Sequence, residues 1–119
     1  MLFANRENLR QASHKPPQGY ASQCKHIGTI GPIATVATCS GTDEFANQVT
    51  ERTGAIAEAM EGAAVMHVAN LMNTPAIEIR VISNTTGNRD EQEWNLQLAL
   101  QKVSEVTEQV IQALWKTSE

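Results

Sequence analysis

The amino-acid sequence predicts an α/β fold built on a mostly parallel sheet. Short, mostly apolar runs alternate with helical stretches along the chain. Each run ends in a loop rich in Gly, Ser, Thr or Asn. Strand–helix alternation of this kind implies parallel strands joined by crossovers.

The first strand is expected over Ala34–Cys39. The run Ile33-Ala34-Thr35-Val36-Ala37-Thr38-Cys39 is small, branched and uncharged, with Gly31-Pro32 before it and Ser40-Gly41-Thr42 after it. Those are the marks of a buried strand that ends in a tight loop. Thr42 then offers a hydroxyl cap, Asp43 and Glu44 fill a first helical turn, and Gly54 stops that helix. Phe45, Val49 and the stem of Arg52 fall on one of its faces. Ala55–Ala59 is the second expected strand. Gly62 to Met72 reads as a helix with Ala63, Ala64, Val65, Val68, Leu71 and Met72 on its apolar side. Pro75 disfavours helical geometry in Thr74, so that helix ends before it.

Ala76–Ser83 has the β-branched content of a third strand, with Glu78 and Arg80 alternating onto one side. Asn84 to Asn88 is a loop. Asp90 to Trp115 reads as one long helix, because Leu96, Leu100, Val103, Val106, Val110 and Leu114 recur at helical spacing. Residues 1–26 contain Pro16-Pro17 and show little periodicity. They are expected to be an irregular leader or a weak helix, with the α/β domain over residues 27–119.

Composition excludes several function classes. Nine Lys and Arg stand against 13 Asp and Glu, for a formal net charge of −4, so a basic nucleic-acid-binding face is not expected. At 41% apolar residues the chain is too hydrophobic for intrinsic disorder. No apolar run nears the ~20 residues of a membrane span, and the start lacks the layout of a signal peptide. No membrane partner is therefore expected. Cys24 and Cys39 make no disulfide framework, which points to reduced thiols and a cytoplasmic location. No three His, Cys or acidic residues fall at metal-ligand spacing, so neither a metal nor another cofactor is assigned.

Ligands of parallel α/β sheets sit at the carboxyl ends of the strands. Cys39–Thr42, Met60–Gly62 and Ser83–Asn88 occupy those ends. Glu61 follows an apolar strand and opens a helix. A carboxylate there gains from the helix dipole and can accept two hydroxyl hydrogen bonds, as a vicinal diol would donate. It is equally a plain first-turn acid. Asn84 carries an acceptor and two donors in one plane, which matches a 6-oxopurine edge presenting O6 and N7–H. It is equally a turn asparagine. Arg89, Asp90 and Trp94 could frame a pocket rim, or Asp90 could simply open the last helix.

Ala57-Glu58-Ala59-Met60-Glu61-Gly62-Ala63-Ala64-Val65, then Pro75, then Glu78-Ile79-Arg80-Val81-Ile82-Ser83-Asn84 resembles the purine nucleoside phosphorylase and nucleosidase superfamily. With Thr38-Cys39-Ser40-Gly41-Thr42, Gly87-Asn88-Arg89-Asp90 and Trp94, the resemblance is strongest to the futalosine hydrolase branch. It runs from about Gly31 to Leu114. It implies the carboxyl-terminal half of a nucleoside phosphorylase-like α/β sandwich, without the amino-terminal half that carries the water-activating acid. It further implies a nucleosidase that releases hypoxanthine from futalosine in menaquinone biosynthesis, with a small-molecule nucleoside substrate. Met60 would pack on the ribose, Glu61 would bind its hydroxyls, and Asn84, the catalytic residue of the set, would match O6 and N7–H of the leaving purine with its one amide. Homodimers are usual in such families. Another nucleosidase, a purine nucleoside phosphorylase, or a truncated remnant without activity are the alternatives.

Overall fold

The structure is a computed structural model that describes residues 2–3 and 20–115. Its elements in chain order are β1 (Leu2–Phe3), α1 (Tyr20–Gln23), β2 (Ile33–Thr35), α2 (Asp43–Thr53), β3 (Ala57–Ala59), α3 (Gly62–Leu71) and α4 (Leu96–Trp115), with a 3-10 turn at Arg89–Glu91. The strands form one parallel sheet in the order β1-β2-β3. Ala34, at the middle of β2, pairs with Leu2 on one side and Glu58 on the other, and is buried. The α/β class expected from the alternation is therefore the class observed.

The amino-terminal side departs from expectation in part. The stretch expected to be an irregular leader or a weak helix contributes the short helical turn α1, which packs against α4, and also the strand β1, which was not expected. Most of it, residues 4–19, lies outside the described residues. The first two strands of the α/β body lie where expected but are shorter. Beyond β2 only Val36 extends the pairing, donating to the carbonyl of Ala59 at 2.8 Å.

The helices follow their local signals. Thr42 caps α2, its hydroxyl accepting from the amide of Phe45 at 3.3 Å, and Gly54 ends it in the left-handed region at φ 66°. No residue of α2 is buried, and Phe45, on the face it shares with Val49, is exposed. On α3 the inward residues are Gly62 and Met66, while Val65, Val68, Leu71 and Met72 face out. The α4 stripe divides: Val110 is buried, but Leu96, Leu100 and Val103 are exposed. An amphipathic stripe records a face that some surface covers. The described residues bury only Gly62 and Met66 on α3 and Ala99 and Val110 on α4, and no large side chain among them is fully enclosed.

Two carboxyl-terminal expectations are corrected. Ala76–Ser83 is extended but joins no ladder among the described residues. Branched residues suit a pleated surface, yet a strand exists only through its neighbour's hydrogen bonds. Here the segment and the sheet together line an open apolar cavity of about 570 Å³, with Ile33, Ile56, Met66, Ile77, Ile79 and Val110 in its wall. The last helix begins at Leu96 rather than Asp90. Residues 92–94 are held non-helical by other bonds. Gln92 donates to the carbonyls of Ser40 and Gly87, and Trp94 bridges Asn84 in antiparallel fashion. Asn95 then caps α4, its side-chain oxygen accepting from the amide of Leu98 at 3.1 Å.

Candidate functional site

The loops that follow β2, β3 and the extended segment gather at one end of the body. Polar bonds tie them together. Glu58 of β3 takes both donors of Ser40: the hydroxyl at 2.7 Å and the backbone amide at 2.8 Å. Gln92 holds Ser40 from its carbonyl side, and the amide of Arg89 donates to the carbonyl of Gly41. Asp43 and Asn88 grip each other through three hydrogen bonds of 2.7–3.2 Å. Gly87 allows this approach. Its φ is +109°, and a Cβ there would overlap the carboxylate of Asp43.

Glu61 sits at the N-cap position of α3 but makes no side-chain capping bond. That task falls to a neighbouring strand. The hydroxyl of Thr35, in β2, accepts from the amide of Ala63 at 3.0 Å and satisfies one of the free donors of the helix start. The Glu61 carboxylate is thereby left at the carboxyl end of β3, in the positive field of α3, with 70% of its side chain exposed. One oxygen, Oε2, meets Nη2 of Arg80 at 3.1 Å. Met60, the preceding residue, is half exposed at the same loop.

Arg80 stands between two acids. Its Nε donates to Oε1 of Glu78 at 2.7 Å, while Nη2 reaches Glu61. Residues 78 and 80 share a side because the chain between them is extended. The hydrogen bond to Glu78 raises the Arg80 pKa from its ordinary value; partial burial opposes this, and the charge of Glu78 and the contact with Glu61 add to it. Glu78 is the buried member, with 10% of its side chain exposed.

Asn84 ends the extended segment and is half-buried. Its Oδ1 accepts from the Ser83 hydroxyl and its Nδ2 donates to the Thr85 carbonyl, each at 2.8 Å. One amide hydrogen and one acceptor lone pair remain. Trp94, which is exposed, pairs with Asn84 through an antiparallel backbone bridge. Arg80 joins Glu61 to the extended segment that carries Asn84; the described hydrogen bonds of Asn84 itself stay within its own turn. Arg89 lies over Gly41, 3.7 Å from where a Cβ would stand. Among the described residues no group of three His, Cys or acidic side chains could hold a metal ion, and no helix is long and apolar enough to cross a membrane.

Sequence reasoning singled out Glu61, Met60 and Asn84 but passed over the residues that hold their loops: Glu58, Ser40, Gln92, Asp43 with Asn88, and Glu78 with Arg80. The last pair had a visible signal. Opposite charges two apart in an apolar extended run share one face, and each can neutralise the other on burial. The contacts of Ser40 with Glu58 and Gln92 span 18 and 52 residues of sequence and leave no local mark.

Comparison with known proteins bears on the same stretch. Residues 7–113 match the phosphorylase superfamily. This chain is 43% identical to a futalosine hydrolase of Acidothermus cellulolyticus over 75 residues, 62% of this chain and 31% of that relative. It is 36% identical to a futalosine hydrolase of Streptomyces coelicolor over 92 residues, 75% of this chain and 39% of that one. The matched stretches thus span less than half the length of the curated relatives. No solved structure matches the chain. The superfamily match begins well before residue 27, within the stretch expected to be leader. Running from there through every loop of the site and into α4, it shows that the chain belongs to the phosphorylase superfamily.

Proposed function

We propose that this chain is the carboxyl-terminal part of a nucleosidase of the futalosine hydrolase type. It would cleave the N-glycosidic bond of futalosine and release hypoxanthine, a step toward menaquinone in the cytoplasm. The observation that carries the reading is the state of Glu61. Its carboxylate is exempt from helix capping, solvent-facing, and engaged by Arg80 through one oxygen only. The other oxygen and the outer lone pairs can accept the hydroxyls of a ribose. Positive charge that develops on the sugar as the glycosidic bond breaks would be stabilised by the same carboxylate. Met60 would pack on the ribose.

Asn84 would read and assist the leaving base. Its remaining lone pair would accept N7–H of hypoxanthine, and its remaining amide hydrogen would donate to O6. A single amide meets both demands, whereas the N6 amino group of an adenine would oppose that N–H. The names of the two relatives support futalosine as substrate.

The test incubates the purified chain, alone and joined to the rest of the fold from a relative, with futalosine and with inosine, with and without phosphate, and follows free hypoxanthine. Phosphate-independent release from futalosine by the joined chain is the expected result. Release only in phosphate would make the protein a phosphorylase. A second reading rests on a separate observation. With α3 and α4 exposing Val65, Leu71, Leu96 and Leu100, the chain would bind nucleoside yet require another polypeptide, such as a second copy in a homodimer, for turnover. Binding without release in the same assay would favour it.

A further inference from the structure

We infer that Glu78 is a positioning residue that fixes Arg80, and through Arg80 the orientation of the Glu61 carboxylate. The inference rests on the reading of Glu61 as the ribose-binding group. Three features of Glu78 set it apart from an ordinary surface partner. It is the buried acid of the cluster, with 10% of its side chain exposed against 70% for Glu61. Its bond to Arg80 is the shorter, 2.7 Å against 3.1 Å, and engages Nε, the nitrogen nearest the side-chain stem. A guanidinium is a rigid planar fork, so anchoring Nε fixes where both Nη groups point.

The third feature is the seat of Glu78 itself. Its carboxylate lies against Gly62, in the space that a Cβ would fill. Gly62 is the residue after Glu61 and the first of α3. The absence of a side chain there is thus a steric requirement of Glu78. Its Oε2 is buried and has no hydrogen-bond partner among the described residues. A buried carboxylate oxygen left unpaired is unfavourable for folding. Such a feature is expected where a charge serves something other than stability. The order of control runs from Gly62, which admits Glu78, to Arg80, which Glu78 aims, to Glu61, which Arg80 holds.

Nuclear magnetic resonance of the chain as it stands reads the first link. The Arg80 Nε–H should resonate downfield and exchange slowly with water in the wild type and in Glu61→Gln. In Glu78→Ala it should lose both properties. In Glu78→Gln, which keeps an acceptor, it should fall between. A signal that survives Glu78→Ala, or disappears in Glu61→Gln, overturns the proposal. Should Glu78→Ala fail to fold, the Glu78→Gln comparison decides alone, and an unchanged signal in it counts against the anchor. Titration with inosine reads the second link. Glu78→Ala should weaken binding about tenfold in the wild-type background and not at all beside Glu61→Gln. An equal loss in both backgrounds would show that Glu78 acts through the fold and would overturn the positioning role. Absence of inosine binding by the wild type would instead count against the ribose reading, while the resonance of Arg80 still decides the anchor.

Discussion

Replacing Glu61 by Gln separates two contributions that a helix-start acid would combine. In the folded chain its carboxylate makes one ion pair, at 3.1 Å, and 70% of the side chain is in solvent. Exposed pairs of this kind contribute about 0.2–1 kcal/mol. No capping bond is lost, because Thr35 supplies it. The stability change should therefore stay below about 1 kcal/mol. Binding should respond far more. A hydrogen bond to a charged group is worth about 1.5–3 kcal/mol net, which corresponds to a loss of roughly ten- to 150-fold in affinity. Calorimetric titration with inosine and urea unfolding of the same two preparations measure both quantities. Equal affinities would return Glu61 to the role of a first-turn acid. A stability loss well beyond the surface-pair range would show that the carboxylate is part of the fold, and the reasoning from its exposure would fail.

Three further changes probe the surrounding frame. Thr35→Val keeps the side-chain volume and removes the acceptor for the Ala63 amide; it should destabilise by about 1 kcal/mol, read as a lower urea midpoint at unchanged slope. An unshifted midpoint would mean water caps α3 equally well. Gly87→Ala forces a Cβ into a left-handed position against Asp43, and should lower stability by about 1–3 kcal/mol. A variant as stable as the parent would mean that the Asp43–Asn88 grip yields freely. Asn84→Asp, made in the chain joined to the rest of the fold from a relative, should move preference from inosine-type toward adenosine-type substrates by roughly ten- to a hundredfold, since a mismatched buried polar group costs about 1–3 kcal/mol. An unchanged ratio of rate constants would show that Asn84 does not read the purine edge.

The parts legible in the sequence are those written in local chemistry. Thr42 and Gly54 bracket α2 within a residue of their expected places because caps are decided by a few neighbouring atoms. The strand and helix alternation yields the parallel sheet for the same kind of reason. Ala76–Ser83 failed as a strand because its propensity says nothing about whether a neighbour is there to pair. The start of α4 was misplaced because Gln92 is claimed by carbonyls of Ser40 and Gly87, and Ser40 is distant in sequence. Glu61 was legible as a candidate, but its freedom from capping depends on a hydroxyl that arrives from another strand. Inner faces were the poorest guide. Apolar spacing on α3 and α4 marks surfaces that want cover, and only part of that cover lies among the described residues.

The polar web around Ser40 divides the chain into regions of unequal permanence. Amide exchange should show it. The amides of Val36, Ser40, Arg89 and Asn95 are each bonded across the loops, to Ala59, Glu58, Gly41 and Ser83. Slow exchange is expected there even though these positions lie outside the helices. The outer turns of α3 and α4, with few buried contacts, should open sooner. Order would then be concentrated at the end of the molecule that carries Glu61 and Asn84, where a nucleoside is proposed to bind. A ligand arriving there finds loops already immobilised, so less of its interaction energy is consumed in ordering them.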